Sequence, residues 1–301
     1  MPRSLAFPAV LLAVLLAGCG EDDAGSGGAA LEVVATTTQA ADLARNVGGD
    51  RATVTGLLGP NADPHDYELR PRDVEAIAEA GLVVRSGGEV DEWLEEAIEA
   101  SGTEAPELDL SAHVHRRGDD PHWWQDPAEA MRAVTAIRDA MVQADPGGAA
   151  AYRDNARAYL ARVRRLDAAV ERCVDSIPAR ARKLVTSHDA LGYYARRYGL
   201  EVIGTVIPSL STEAQPSAGD TAALIETIRE AGVKTIFAES SVSPKVEEAI
   251  AREAGARVGE ELWADSLGPP GSSGDTYLRS IAANTRAIVD GLGGRPCSPP
   301  S

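Results

Sequence analysis

The feature that most limits how this chain can fold is the run from Ala149 to Ser176 (AAAYRDNARAYLARVRRLDAAVERCVDS), which holds neither Gly nor Pro. Such a run favours helix, and at about 1.5 Å per residue it is roughly 40 Å long. A rod of that length reads as a connecting helix, residues 149–177, between two bodies. The flanks agree. Before it, strands at Leu31–Ala35, Ala52–Leu58, Leu82–Arg85 and Glu107–Leu110 alternate with helices at Gln39–Val47, Pro71–Ala80 and Val90–Ala100. A further helix starts at Asp126-Pro127-Ala128-Glu129 and runs to about Ala144: Asp126 can cap, Pro127 sits where its missing N–H costs nothing, and Glu129 can reach back. After the rod come strands at Lys183–Thr186, Glu201–Thr205, Thr235–Ala238 and Arg257–Val258, and helices at Ala190–Tyr198, Gly219–Ala231, Pro244–Ala254 and Asp275–Leu292. Strands separated by helices are the signature of parallel sheets. The expected fold class is therefore α/β, with one lobe over 31–148, a second over 178–293, and a tail over 294–301. In such sheets ligands bind outside the carboxyl ends of the strands.

The first residues, Met-Pro-Arg and then an apolar run from Leu5 to Ala17, read as a secretory signal over residues 1–18. The run is shorter than the roughly 20 apolar residues a membrane span needs. Its end, Leu16-Ala17-Gly18-Cys19, resembles the lipobox of bacterial lipoproteins, which makes Cys19 the expected lipidation site and residues 19–30 a flexible polar tether. The expected location is extracytoplasmic, on a lipid anchor at the cell membrane. A formal charge of −17 argues against nucleic acid and anionic headgroups as partners. Salt screens such a field within about 8 Å, so it cannot explain selective capture of a cation. Cys173 and Cys297 are the remaining cysteines. In an exported chain they either form a disulfide, contributing about 2–4 kcal/mol, or stay as two thiols.

Of five histidines, three fall in loops beside expected strand ends: His65 in NADPHDYE, His122 in DPHWWQD and His188 in TSHDA. A lone loop histidine is usually just exposed. The wider segments say more. DPHDYELRPRD (63–73), DPHWWQDP (120–127), SHDALGYYARRYGL (187–200), SPKVEEAIAREAG (243–255) and WADSLG (263–268), in this order around a long central helix, resemble the zinc- and manganese-binding lipoproteins that serve ABC importers. The resemblance spans about residues 31–293. It implies two α/β lobes on one rigid helix, a metal buried in the cleft between them, no enzymatic activity, a monomer, and as partner a membrane permease energised by its ATPase. Matched motif by motif, the implied ligands are His65, His122, His188 and Asp265.

Three neutral imidazoles and one carboxylate suit tetrahedral Zn²⁺, whereas Mn²⁺ prefers more oxygen and a larger shell. Manganese members of the family commonly carry Glu where this chain has His188, so the expected cargo is zinc, with manganese as the alternative if Asp265 binds through both oxygens. Two ligands from each half should staple the lobes together. Because imidazole must be neutral to bind, affinity should collapse below about pH 6. The acids nearest the ligands, Asp66, Glu68, Asp126, Asp189 and Glu239, are candidates to orient the imidazoles, with capping the stronger role for Asp126. His113, His115, Asp119 and Asp120 form a shortened version of the histidine- and acid-rich loop found in zinc members, either an auxiliary metal loop or an exposed loop without a role. One of Trp123 and Trp124 should pack under the site. Rival readings are an extracellular zinc hydrolase, which would keep a coordination position open for water, and a surface adhesin.

Overall fold

The computed structural model describes Met1 and residues 29–301. The expected signal, Cys19 and nearly all of the tether lie outside the described residues. Strand β1 (Leu31–Ala35) pairs in parallel with β2 (Ala52–Gly56) and β3 (Leu82–Arg85), and β3 with β4 (Glu107–Asp109), giving the order β2-β1-β3-β4. The connections are helices α1 (Thr38–Gly48), α2 (Pro71–Ala78) and α3 (Leu94–Ser101). Helix α3 starts later than the apolar period suggests. The Asp91 carboxylate turns inward, taking the Thr36 hydroxyl at 2.7 Å and the Ser86 N–H at 2.6 Å, so residues 89–91 close a 3₁₀ turn over the end of β3 instead.

Helix α4 (Pro127–Ala144) begins as its sequence dictates, with the Asp126 carboxylate accepting from the Ala128 N–H at 2.8 Å. Glu129 does not reach back. Its carboxylate instead accepts the His115 N–H at 2.8 Å and faces that imidazole at 3.1 Å. Helix α5 (Ala149–Val174) buries Tyr152, Ala156, Tyr159, Val163, Leu166, Val170 and Cys173, steps of four and three that make one continuous stripe. That stripe packs on α1, α4 and α9 (Tyr277–Gly291), so α5 is part of the core as well as a link. Its far end is tied to the tail by the Cys173–Cys297 disulfide, with Cα atoms 5.8 Å apart.

The second half holds parallel pairs β5 (Lys183–Thr186) with β6 (Glu201–Thr205), and β7 (Thr235–Ile236) with β8 (Arg257–Val258). Helices α6 (Gly192–Tyr198), α7 (Ala218–Ala231) and α8 (Lys245–Ala254) connect them. The segment expected as one strand over 235–238 ladders only at its start. Beyond Ile236 it changes neighbours, with Phe237 bridging to Thr186 and Glu239 to Leu262. The main apolar core runs from the first sheet through α5 and α9 to Leu184 and Phe237, and a smaller cluster lies under α7 and α8. No helix among the described residues is long and apolar enough to cross a membrane.

Candidate metal centre

The residues that follow β2, β5 and β8, together with the loop ahead of α4, converge on one point. His65 lies in the turn beyond β2, His122 just ahead of α4, His188 two residues past β5, and Asp265 past β8. One potential ligand atom from each of the four lies within 4.8 Å of all the others, and no other group of three or more such side chains gathers among the described residues. The site sits at the carboxyl ends of parallel strands because there the side chains of successive loops can meet without crossing the sheet.

Nε2 of His188 is 3.0 Å and Nε2 of His65 is 3.3 Å from Oδ2 of Asp265, while Nε2 of His122 is 3.4 Å from Oδ1. The Nε2 atoms of His122 and His188 are 3.3 Å apart. For metal–nitrogen bonds of about 2.0–2.1 Å, the edge of a tetrahedron is about 3.3–3.4 Å, so these separations are those of atoms sharing one small cation. Side-chain exposure is 2% at His65 and zero at the other three. Nε2 of His65 and both oxygens of Asp265 are buried without any hydrogen-bond partner. Buried polar atoms are normally satisfied, and a carboxylate aimed at three imidazole nitrogens with both oxygens unpaired fits a bound cation.

The electrostatics follow from that packing. Burial pushes the Asp265 carboxyl up, but His188 and His122 beside it outweigh the burial and hold it well below the usual carboxylate range. At His188 burial opposes the charged imidazolium, yet the carboxylates of Asp265 and Glu239 raise it well above its ordinary value. Burial raises Glu239 in turn, only partly offset by His188.

The other ring nitrogens fix the imidazoles. Nδ1 of His188 is 2.7 Å from Oε1 of Glu239, and Nδ1 of His122 is 2.9 Å from Oδ1 of Asp120. Contacts of this kind set which nitrogen is left to face a metal. Glu239 thus stands where an orienting acid is expected. The other four candidates do not. Asp66 and Glu68 are exposed, because the turn at 63–66 points them outward. Asp126 caps α4 and pairs with Arg197 at 3.1 Å, and Asp189 lines a surface cavity beside Gly192 and Arg196. The expected auxiliary loop is likewise dispersed. His113, His115 and Asp119 are exposed and do not converge, His115 being drawn to Glu129, while Asp120 serves His122.

Asp63 and Asp120 show what the sequence reading missed. Each stands two residues before a histidine in a repeated Asp-Pro-His, and in each the carboxylate Oδ1 accepts the histidine N–H at 3.0 Å. This is the Asx-turn geometry, and the repeated tripeptide was its signal. The other oxygen of Asp63 accepts from the Thr212 hydroxyl at 2.7 Å, a link across the two halves.

Trp124 packs edge-on to His122 with ring centroids 5.4 Å apart, and its Nε1 donates to the carbonyl of Ala264 at 2.8 Å. Gln125 donates to the same carbonyl at 2.6 Å. Beyond Asp265, the Leu267 N–H donates to the Thr38 hydroxyl at 2.8 Å, and the Leu267 carbonyl accepts from the Asn61 N–H at 3.1 Å. On the other side, the Trp263 N–H donates to Asn284 of α9 at 2.8 Å. The segment presenting Asp265 is therefore pinned from both directions.

The chain resembles known proteins along almost its whole length. It is 33% identical over 300 residues to the manganese-binding lipoprotein MntA of Bacillus subtilis, covering 94% of this chain and 97% of that one. To the zinc-binding protein TroA of Treponema pallidum it is 33% identical over 286 residues, 91% of this chain and 92% of that one. The solved structure of the Treponema pallidum periplasmic zinc-binding protein superposes with a TM-score of 0.82 at 31% identity, covering 87% of this chain and 99% of that one. Residues 33–291 match the family described as ZnuA, zinc-uptake complex component A, periplasmic. With that match taking in both halves and every loop of the four-residue cluster, the chain belongs to the ZnuA family of solute-binding proteins of metal importers.

Proposed function

We propose that this protein captures Zn²⁺ outside the cytoplasm through His65, His122, His188 and Asp265 and hands it to the permease of an ABC-type importer, held at the membrane by lipid on Cys19. The observation that carries the reading is the meeting of buried ligand atoms from four residues distant in sequence, those of His65 and Asp265 without any hydrogen-bond partner, spaced at about the edge length of a zinc tetrahedron. Three imidazoles favour zinc over manganese, and four protein ligands leave no position for the water a hydrolase would need. Relatives named for metal-binding lipoproteins support the role in import.

Manganese is the second reading, favoured by one feature. The two oxygens of Asp265 face different imidazoles, Oδ1 toward His122 and Oδ2 toward His65 and His188, so a bidentate carboxylate would give a five-donor shell. Elemental analysis of the purified protein, followed by calorimetric titration with Zn²⁺ and Mn²⁺ in parallel, separates the two. One zinc per chain bound more tightly than manganese is expected. Tighter manganese would replace the zinc reading, and the absence of any stoichiometric transition metal would end the capture reading.

A further inference from the structure

The segment from His115 to Asp120 is the shortened loop ahead of the second Asp-Pro-His, and in the folded protein it reaches the other half of the chain. It closes a small hairpin, the Asp120 N–H donating to the Arg117 carbonyl at 3.1 Å. The Arg117 N–H donates to the hydroxyl of Tyr193 in α6 at 2.9 Å, and that hydroxyl donates on to the His115 carbonyl at 3.3 Å. The guanidinium of Arg117 lies over the Tyr193 ring, 5.3 Å from its centroid. Its Nη1 is buried with no hydrogen-bond partner and stands 3.8 Å from Oδ2 of Asp120, the oxygen that His122 does not use. Gly192 makes room for this: a Cβ there would lie 2.7 Å from Nη1 of Arg117 and 3.0 Å from Oδ2 of Asp120.

We infer that Arg117 is a positioning residue for the metal site, holding Asp120 from the far side and so fixing the imidazole of His122, from a seat made by Gly192 and Tyr193 in the other half of the chain. The guanidinium touches neither the cargo nor a ligand. It acts by restraining a carboxylate whose remaining oxygen orients a ligand, and a side chain left free to rotate would let the imidazole turn with it. The arrangement also ties ligand geometry to the contact between halves, since α6 follows directly on the loop that carries His188. The inference rests on the metal-capture reading.

The test uses the full-length mature protein with Zn²⁺ in calorimetry and Co²⁺ in visible spectroscopy. Arg117→Ala should weaken zinc binding about tenfold, the low end for loss of a partner that orients a ligand, and alter the intensity of the cobalt ligand-field bands. Gly192→Ala, which crowds the same guanidinium, should move the spectrum in the same direction. In an Asp120→Asn background, Arg117→Ala should cost nothing further, because the two act in series. Melting of the metal-free variants checks that they fold. Unchanged affinity and spectrum in folded Arg117→Ala, or losses that add with Asp120→Asn, would overturn the inference. Failure of the unaltered protein to take up either ion would instead remove the capture reading beneath it.

Discussion

Glu239→Gln isolates charge from shape at the site. Glu239 is 3% exposed, one oxygen is 2.7 Å from Nδ1 of His188, and the other has no partner. A glutamine can still accept from Nδ1 through its carbonyl oxygen, so the ring keeps its orientation and only the negative charge is lost. Removing an orienting partner typically costs 10–100-fold in metal affinity, about 1.4–2.7 kcal/mol. The charge has a second effect with the opposite sign. Despite burial, Glu239 together with Asp265 raises His188 well above its ordinary value of 6.5 in the metal-free protein, so zinc must displace a proton to bind. Without Glu239 that proton is held less tightly, and competition begins at lower pH. The advantage of the native protein over Glu239→Gln should therefore be greatest near pH 8 and shrink as the pH falls toward 6.5. Chelator-competition titrations at pH 8, 7.25 and 6.5 measure it. Affinities within twofold of each other at pH 8, or a ratio that widens as the pH falls, would refute the reasoning.

Calorimetry of the native protein in buffers of different ionisation enthalpy should show protons released on zinc binding at pH 7, and affinity should begin to fall at a higher pH than imidazoles of the ordinary pKa 6.5 would give. Because His188 is raised in the folded metal-free protein, the stability it contributes is fully present below about pH 6.5 and is lost as the pH rises through the raised value, while the contribution of Asp265, held low, persists above about pH 3.8. Thermal melts in chelator from pH 6.5 to 9 should thus fall for the native protein relative to His188→Gln, and parallel curves would contradict this. Asp265→Ala, which leaves three imidazoles to hold zinc more weakly, should reduce the thermal shift given by a fixed zinc concentration, which for the native protein at about 100 times Kd is worth about 2.7 kcal/mol; an undiminished shift would exclude Asp265 as a ligand. Cys297→Ser should lower stability by about 2–4 kcal/mol in denaturant melts with zinc affinity unchanged, and an affinity loss would show that the tail reaches the site.

Regular elements were legible where one local rule decides them. Asp126 and Pro127 start α4 at its observed residue, and the run from Ala149 is helical to Val174. The ligand cluster was legible only through motif resemblance, since no periodicity in the chain tells that loops at positions 65, 122, 188 and 265 meet. What stayed hidden depends on side-chain direction. Asp66 and Glu68 adjoin a ligand in sequence but face water, whereas Asp120, read as part of a collecting loop, turns back onto His122. Asp91 misled in the same way, since an acid in an apolar period looks like a surface residue of a helix until the N–H groups it satisfies are seen.

Chain order divides the four clustered residues evenly between the halves, but the bonding of the Asp265 segment crosses that division. Asp265 comes late in the sequence, yet its flanking peptide groups are laced to Thr38, Asn61, Trp124 and Gln125 of the opening half. Its upstream side is laced just as firmly to its own half, where Leu262 bridges to Glu239 and Trp263 bonds Asn284 of α9, so Asp265 is fastened to both bodies at once. Parting the halves would then have to break peptide hydrogen bonds on one flank of Asp265 or the other, so the cage opens by unlacing backbone and not by the swing of one side chain.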